Sequence, residues 1–386
     1  MMRLWSALFL SFLLSACASV APVSSTPDEL FRDQLFGQPS EIPDAKKIFA
    51  LSEPMREYVR GDMTHQLRTM GRQRGLLAAL YKRDQLKLEY DSGHTRNAAE
   101  AFEARSGNCL SLVIMTAAFA KELNVPVEFQ SAFTEETWSR HGGLLFRSGH
   151  VNLTLGRRMA DVNTAVDNTP LTVDFLSAAE LRGMKTRVIS EETVVAMYMN
   201  NRAAESLVRG KLDDAYAFAR EAIRHDPAFS SGYNTLGVIY MRHGNHDDAQ
   251  RVFASVLRRE PDNTRAMSNM AAVLQLQGRT AEADALLKRL ASIDPNPPFH
   301  YFNLGMAAME RQDFRAARDL FAKEVARAEY YHEFHFWLGL ASYRFGEMDE
   351  ARKQLALAME NSTTRGDHDL YAAKLAWMRS RDQAHR

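Results

Sequence analysis

A spacing of 34 residues runs through the second half of the sequence. Five alanines keep this spacing in strict register: Ala215, Ala249, Ala283, Ala317 and Ala351. Four glycines keep the same spacing: Gly210, Gly244, Gly278 and Gly346. Gln312 takes the fourth place of this series, and prolines close the first three units: Pro227, Pro261 and Pro295. A fixed period of this length indicates an array in which each short unit packs on its neighbours. From about Met199 onward, the sequence therefore predicts a repeat solenoid.

The repeat matches the tetratricopeptide pattern, in which each unit is a pair of antiparallel helices. The fullest copy carries these residues: Tyr233, Leu236, Gly237, Tyr240, Ala249, Phe253 and Pro261. In such a unit, small residues let the two helices approach, glycine permits the turn between them, and proline ends the second helix. We expect about five units over residues 191–366, with Arg202 in place of a core leucine in the first, and a capping helix within residues 367–386.

The first residues have the form of a secretory signal. Arg3 supplies positive charge, and residues 4–14 form an apolar run that is too short to span a membrane. Residues 14–17, Leu-Ser-Ala-Cys, resemble the lipobox of bacterial lipoproteins, in which the signal is cut before the cysteine and the thiol is acylated. The resemblance implies a signal peptide over residues 1–16, a tether over residues 17–27 that begins with lipidated Cys17, and, through Ala18, delivery to the outer membrane. The alternative is a plain signal peptide that contains Cys17.

The sequence contains two cysteines, Cys17 and Cys109. If Cys17 is acylated, Cys109 has no intramolecular disulfide partner, and a lone thiol in an exported protein has to be buried or used. Apolar residues follow Cys109 at the spacing of an amphipathic helix, and residues 124–126, Asn-Val-Pro, supply the stop. We therefore expect Cys109 in or next to the first turn, where unpaired N–H groups and the helix dipole favour thiolate over thiol. The alternative is a small buried hydrophobic residue.

The pattern around Cys109 changes from helical to alternating. Residues 26–29 form a capping box with proline at the first helical position, and further helices are expected over residues 63–88 and 95–104, the latter capped by Thr95. After Pro126, alternating apolar residues predict three strands: one from Val127, one over residues 151–155 and one over residues 171–175. Helices followed by strands predict an α+β domain over residues 28–190.

Two of these strands carry groups that a thiol nucleophile needs. His150 opens the second strand and could take the thiol proton, and Asp174 on the third strand could orient the imidazole. His141 is a weaker candidate for the base, because its glycine neighbours indicate a loop. Asp161 competes with Asp174, because it too follows the second strand. Trp138 or a backbone N–H could help to hold an oxyanion.

These residues together resemble the transglutaminase-like core of papain-type thiol enzymes. The resemblance rests on Gly-Asn-Cys at residues 107–109, His-Val-Asn-Leu at residues 150–153 and Val-Asp-Phe at residues 173–175. It covers residues 95–175 and implies an α+β fold with three catalytic residues: Cys109, His150 and Asp174. It also implies an acyl-enzyme on the cysteine, which water attacks in a protease or amidase and an amine attacks in a transglutaminase.

Charge and spacing argue against several other functions. Lys plus Arg and Asp plus Glu number 48 each, so no net field attracts nucleic acid. The pair His332 and His335 is more typical of helix packing than of a metal site, and no His-x-x-x-His, Cys-x-x-Cys or phosphate-loop spacing occurs. We therefore expect no cofactor, no metal and no nucleic-acid partner.

Taken together, the sequence predicts an α+β transglutaminase-like domain followed by an all-α tetratricopeptide-repeat solenoid. We expect a cysteine acyl-transfer enzyme that is lipid-anchored in the bacterial cell envelope, with a peptide or protein ligand in the repeat groove. Hydrolysis is favoured over crosslinking. The alternatives are a catalytically silent envelope scaffold that binds through its repeats and a true protein-crosslinking transglutaminase.

Overall fold

The computed structural model describes residues 27–81, 88–91, 93–141, 144–156, 170–175, 185–362 and 364–384, and for residues 132–141 and 144–149 it describes the backbone alone. The predicted signal peptide, nearly all of the tether with Cys17, and Asp161 lie outside the described residues. In the part of the chain that is described, helices and one antiparallel sheet precede a long run of paired helices.

The N-terminal stretch of the described chain does not form the helix that its capping box predicts. It forms single 3-10 turns at Pro27–Leu30 and Asp33–Leu35. Between these turns, the backbone N–H of Arg32 donates to the hydroxyl of Tyr216, in the repeat region, over 2.8 Å. Because a backbone donor here is satisfied by a distant part of the chain, tertiary contacts override the local helix signal.

Four helices of the described chain precede Cys109: α1 (Ala45–Ile48), α2 (Glu53–Arg60), α3 (Thr64–Tyr81) and α4 (Ala98–Ala104). Asn97, and not Thr95, caps α4. The Asn97 side chain accepts the Glu100 N–H and the Glu100 carboxylate accepts the Asn97 N–H, each over 2.9 Å. This reciprocal pair is a complete capping box, which leaves Thr95 free for another role.

A buried helix follows a short parallel ribbon. Strands β1 (Glu89–Tyr90) and β2 (Ser106–Gly107) pair in parallel and lead into α5 (Cys109–Glu122). All of residues 110–120 are buried, so α5 is buried on every side and not only along the predicted stripe. It packs against α3, α4 and the main sheet, which makes it the central helix of the α+β part.

The main sheet has four antiparallel strands in the order β5-β4-β3-β6. They are β3 (Val127–His141), β4 (Leu144–Leu155), β5 (Leu171–Val173) and β6 (Lys185–Ile189). The first two are longer than predicted, and β6 was missed because its alternation is weak. One register row crosses all four strands and is buried in the core: Val173, Leu153, Phe129 and Ile189.

Ten helices follow in five pairs. They are α6 (Glu191–Val208), α7 (Leu212–His225), α8 (Ser230–His243), α9 (His246–Arg259), α10 (Thr264–Leu276), α11 (Thr280–Ile293), α12 (His300–Glu310), α13 (Phe314–Arg327), α14 (His332–Phe345) and α15 (Met348–Glu360). All five register alanines are fully buried. Each turn position at the 34-residue spacing has a positive φ, from 62° at Gln312 to 98° at Gly346, which explains the preference for glycine.

The core is divided along the array. One apolar cluster runs from Leu30 through α5 and the sheet to Ala283 in α11. A second joins α12, α13 and α14, and a third joins α15 to α16 (Arg365–Ala384), the predicted capping helix. None of the described helices is both long enough and apolar enough to cross a membrane.

Candidate functional site

Cys109 is the first residue of α5, as its sequence context predicts, and Asn108 is the N-cap. The Oδ1 atom of Asn108 accepts the Ser111 N–H over 2.9 Å, the bond by which an asparagine caps a helix. Cys109 is a free, half-buried thiol, whereas the eleven residues after it are buried. The sulfur therefore lies at the edge of a buried helix and at the positive end of its dipole.

Gly107 allows the chain to turn closely into this helix. A Cβ atom at this position would lie 2.7 Å from the Cβ atom of Ser111, which is closer than van der Waals contact permits. Two residues earlier, Arg105 ends α4 in the left-handed conformation, with a φ of 49°. The backbone between α4 and α5 is therefore tightly constrained just before the thiol.

His150 lies on β4 with its side chain buried, and it bonds to Asp174. Its Nε2 atom lies 2.7 Å from Asp174 Oδ1, and the Nδ2 of Asn152 donates to Asp174 Oδ2 over 2.8 Å. Both carboxylate oxygens are thus held, because Asn152 is two residues from His150 on the same face of the strand. The ring nitrogen that remains for Cys109 is Nδ1.

Several opposing effects act on the protonation of His150. Burial lowers its pKa, but the hydrogen bonds and charges of Asp174 and Cys109 outweigh burial and raise the pKa from 6.5 to about 9. Cys109 contributes to the raised pKa of the ring, so the thiol lies near the imidazole. A cationic ring stabilises negative charge on a neighbouring sulfur, and a neutral ring can accept its proton.

The structure thus brings together all three residues that the sequence singled out, with two differences of placement. His150 lies inside β4 and does not open it, and Asp174 follows β5 and is not part of it. Asn152 was not predicted as a member of this group. The signal for it was present, because the residue two positions after the histidine must share its face of the strand.

The structure also places four other residues that the sequence offered as candidates. His141 ends β3 and Trp138 lies within it, but their side chains lie outside the part of the structure that is described. His332 bonds through Nδ1 to the Tyr371 hydroxyl at 2.7 Å, whereas His335 bonds through Nδ1 to Gln354 at 2.6 Å.

The two histidines therefore have separate partners. Among the described residues, no group of three or more His, Cys, Asp or Glu side chains could hold a metal ion.

A second candidate site is the surface of α7, α8 and α9, which holds residues 28–41 of the same chain. Phe36 stacks on Tyr216 with ring centroids 4.0 Å apart and planes inclined by 6°. Arg32 pairs with Asp248, with 3.0 Å between its Nε and the carboxylate Oδ1. Aromatic and acidic side chains of the repeats thus hold an irregular stretch of chain through stacking, charge and backbone hydrogen bonds.

Two family models of the tetratricopeptide repeat match the chain, over residues 240–304 and 302–365. The chain is 34% identical over 83 residues to the protein O-mannosyl-transferase Tmtc3 of Drosophila melanogaster, which is 21% of this chain and 9% of that protein. It is 31% identical over 124 residues to heat shock protein STI1 of Saccharomyces cerevisiae, which is 32% of this chain and 20% of that protein. The chain therefore spans a fifth or less of these curated relatives.

Solved structures of repeat proteins are also similar to the chain. The structure of pilF from Pseudomonas aeruginosa covers 51% of this chain and 90% of its own, with 20% identity and a TM-score of 0.32. A thermophilic repeat protein from Thermus thermophilus covers 47% of this chain and 99% of its own, with 18% identity and a TM-score of 0.32. With the family matches and the paired helices α6 to α15, the C-terminal part of the chain is a tetratricopeptide-repeat solenoid.

Proposed function

We propose that this protein is a scaffold that binds a peptide or protein segment through its tetratricopeptide repeats. The observation that carries this proposal is the hold of α7, α8 and α9 on residues 28–41, an irregular stretch of chain. A surface that binds such a segment in cis has the chemistry to bind a similar one in trans. The expected ligand is a peptide that presents an aromatic residue to Tyr216 and a cation to Asp248.

A labelled synthetic peptide with the sequence of residues 28–41 tests this proposal. We expect it to bind saturably to the Arg32→Ala/Phe36→Ala variant, in which the internal segment is weakened, and less well to the unsubstituted chain. The Tyr216→Ala change, added to that variant, should abolish binding, and a scrambled peptide is the ligand control. The proposal would be overturned by no saturable binding up to about 1 mM peptide, where the binding free energy is only about −4 kcal/mol.

We propose as a second function that Cys109 carries out acyl transfer, on the strength of its position near the His150–Asp174 pair. In this scheme the Cys109 sulfur attacks a carbonyl carbon, and its proton passes to Nδ1 of His150. The tetrahedral intermediate then expels the amine, which takes that proton, and a thioester remains on the sulfur. Water that attacks the thioester releases an acid and the free thiol, whereas an amine releases a new amide.

The arrangement that supports this second function resembles a transglutaminase-like core. It combines a cysteine at a helix start, a histidine on a strand of an antiparallel sheet and an aspartate after the neighbouring strand. Hydrolysis of a peptide or protein is the reaction we favour, with crosslinking as the alternative. The repeats would then recruit the substrate.

Alkylation of Cys109 tests the second function without knowledge of the substrate. In the Cys17→Ser chain Cys109 is the only thiol, so the rate of its reaction with iodoacetamide can be measured directly. We expect the His150→Gln change to slow this reaction by about 100-fold, a typical contribution of a positioned base. Equal rates for the two chains, in the folded state at pH 7, would count against an activated nucleophile.

We also propose that the protein is held in the bacterial cell envelope, at the outer membrane, by acyl chains on Cys17. Several chains on one cysteine give stable anchoring, because each buried methylene contributes about 0.8 kcal/mol. Expression in a bacterial host should place the full chain in the detergent-extractable membrane fraction and the Cys17→Ser chain in the soluble periplasmic fraction. If both chains are recovered in the membrane fraction to the same extent, Cys17 is not the anchor.

A further inference from the structure

A chain of hydrogen bonds leads from the first repeat helix to the start of the thiol helix. Glu205 lies on α6, and its Oε1 atom accepts the backbone N–H of Thr95 over 2.7 Å. The Thr95 hydroxyl also faces the Glu205 carboxylate and lowers its pKa. Thr95 is buried, so a distant acidic side chain satisfies its backbone donor.

The second half of the chain of bonds holds Asn108. The Nδ2 atom of Asn108 donates to the Thr95 hydroxyl oxygen over 2.9 Å. With its amide fixed in this way, Asn108 turns Oδ1 towards α5, where it accepts the Ser111 N–H over 2.9 Å and the Ser111 hydroxyl over 2.8 Å. The Ser111 hydroxyl oxygen in turn accepts the Arg96 N–H over 2.8 Å.

The direction of these bonds depends on an acceptor at their far end. A hydroxyl oxygen has one proton and two lone pairs, so Thr95 can accept from Asn108 in any case, and an acceptor at position 205 favours the arrangement in which the hydroxyl proton points away from Asn108. A carboxylate accepts and never donates, whereas an amide in the same place could donate to Thr95 and reverse the direction. Burial holds the pKa of Glu205 above its usual value, although Thr95 and the charge of Arg202 act to lower it.

We propose that Glu205 is a positioning residue for Cys109, which acts through Thr95 and the Asn108 cap. The proposal rests on the proposed acyl-transfer function of that thiol. Glu205 orients the residue that immediately precedes the cysteine, and so sets the direction of the first turn of α5 and the approach of the sulfur to His150. Since α6 is also the first helix of the repeat region, this bond links the solenoid to the thiol site.

The rate of Cys109 alkylation by iodoacetamide, in the Cys17→Ser chain, tests the proposal. We expect Glu205→Gln to slow the reaction by about tenfold, the lower end of the effect of removing a partner that orients a functional group. Glu192→Gln is the matched control, because Glu192 is an exposed carboxylate on the same helix. Its rate should equal that of the parent chain.

The same comparison in the His150→Gln background distinguishes positioning from a general loss of structure. If Glu205 acts by directing the sulfur towards His150, Glu205→Gln should have no further effect once His150 is replaced. An equal slowing in both backgrounds would overturn the proposal, and so would an unchanged rate in Glu205→Gln alone. Should Glu205→Gln fail to fold, Thr95→Val removes the intermediate hydroxyl, and an unchanged rate in that variant would likewise overturn it.

Failure of the underlying function gives a different result. If Cys109 is not an activated nucleophile, the parent chain and His150→Gln react at the same rate, whatever residue stands at position 205. If the thiol is activated but Glu205 does not position it, His150→Gln is slow and Glu205→Gln is fast.

Discussion

His150 Nε2 lies 2.7 Å from Asp174 Oδ1, although 24 positions separate the two residues in the sequence. They meet because β4 and β5 pair in antiparallel register, with Leu153 opposite Val173. Continued by one residue, this register places Asp174 opposite Asn152, two residues from His150 on β4.

The protonation of His150 predicts a pH dependence of stability. Because the folded pKa is raised from 6.5 to about 9, the contribution of the charged ring is complete below pH 6.5 and is lost as the pH rises to about 9. In urea unfolding experiments, the free energy of unfolding should decrease over this pH window. In Asp174→Asn the decrease should be smaller by about 1.5–3 kcal/mol, the net value of a hydrogen bond to a charged group. An equal decrease in the free energy of unfolding of the two chains would show that Asp174 does not raise the pKa of His150.

The Asn152→Leu change should weaken the hold on Asp174 without removing Cys109, His150 or Asp174. The Nδ2 of Asn152 is a partner of Asp174 Oδ2, and a nearly isosteric apolar side chain removes this donor. We expect alkylation of Cys109 to slow by about tenfold, an effect typical of a lost orienting partner, while the chain remains folded. Asn303→Leu, a change at an exposed position on α12, is the matched control for the gain in apolar surface.

Gly107→Ala should disturb the entry into α5. The added methyl group would lie 2.7 Å from Ser111 Cβ, so the backbone or the helix must move. Overpacking of this kind costs about 1–3 kcal/mol in unfolding free energy. Gly366→Ala is the control, since its nearest neighbour would be 4.0 Å away, and chemical denaturation of both variants makes the comparison. If Gly107→Ala lowers the unfolding free energy no more than Gly366→Ala does, position 107 has room for a side chain.

Phe253→Ala should destabilise the solenoid strongly. Phe253 is fully buried in α9, and truncation of such a ring costs about 3–5 kcal/mol. Phe345→Ala, at a phenylalanine that is 43% exposed in α14, should cost much less. Calorimetric melting of the two variants gives the measurement, and similar melting temperatures would contradict the packing described for α9.

Phe36→Ala should loosen the N-terminal segment from the repeats while the solenoid remains folded. The change removes the stack on Tyr216, and aromatic pairs contribute about 0.5–1.5 kcal/mol beyond their buried area. Hydrogen exchange should become faster at the Arg32 N–H, which donates to the same tyrosine. Unchanged exchange there would mean that the stack does not hold the segment.

The repeat region was determined by the sequence alone, because its signals are local. Each unit needs an alanine where two helices cross and a residue able to adopt a positive φ between them, and both recur at a fixed spacing. Even the exception at Gln312 keeps the left-handed conformation. The helix start at Cys109 was likewise predictable, since a cap and a stop lie within its own segment.

Only the tertiary structure decided which distant residues meet. The pairing of His150 with Asp174, the role of Asn152 and the bond from Glu205 to Thr95 depend on strand register and on how α6 packs against the preceding part. The burial of α5 on all sides and the irregular course of residues 28–41 follow from contacts with other segments. Such contacts outweigh local preferences, because they satisfy backbone donors and bury surface that no neighbour along the chain can reach.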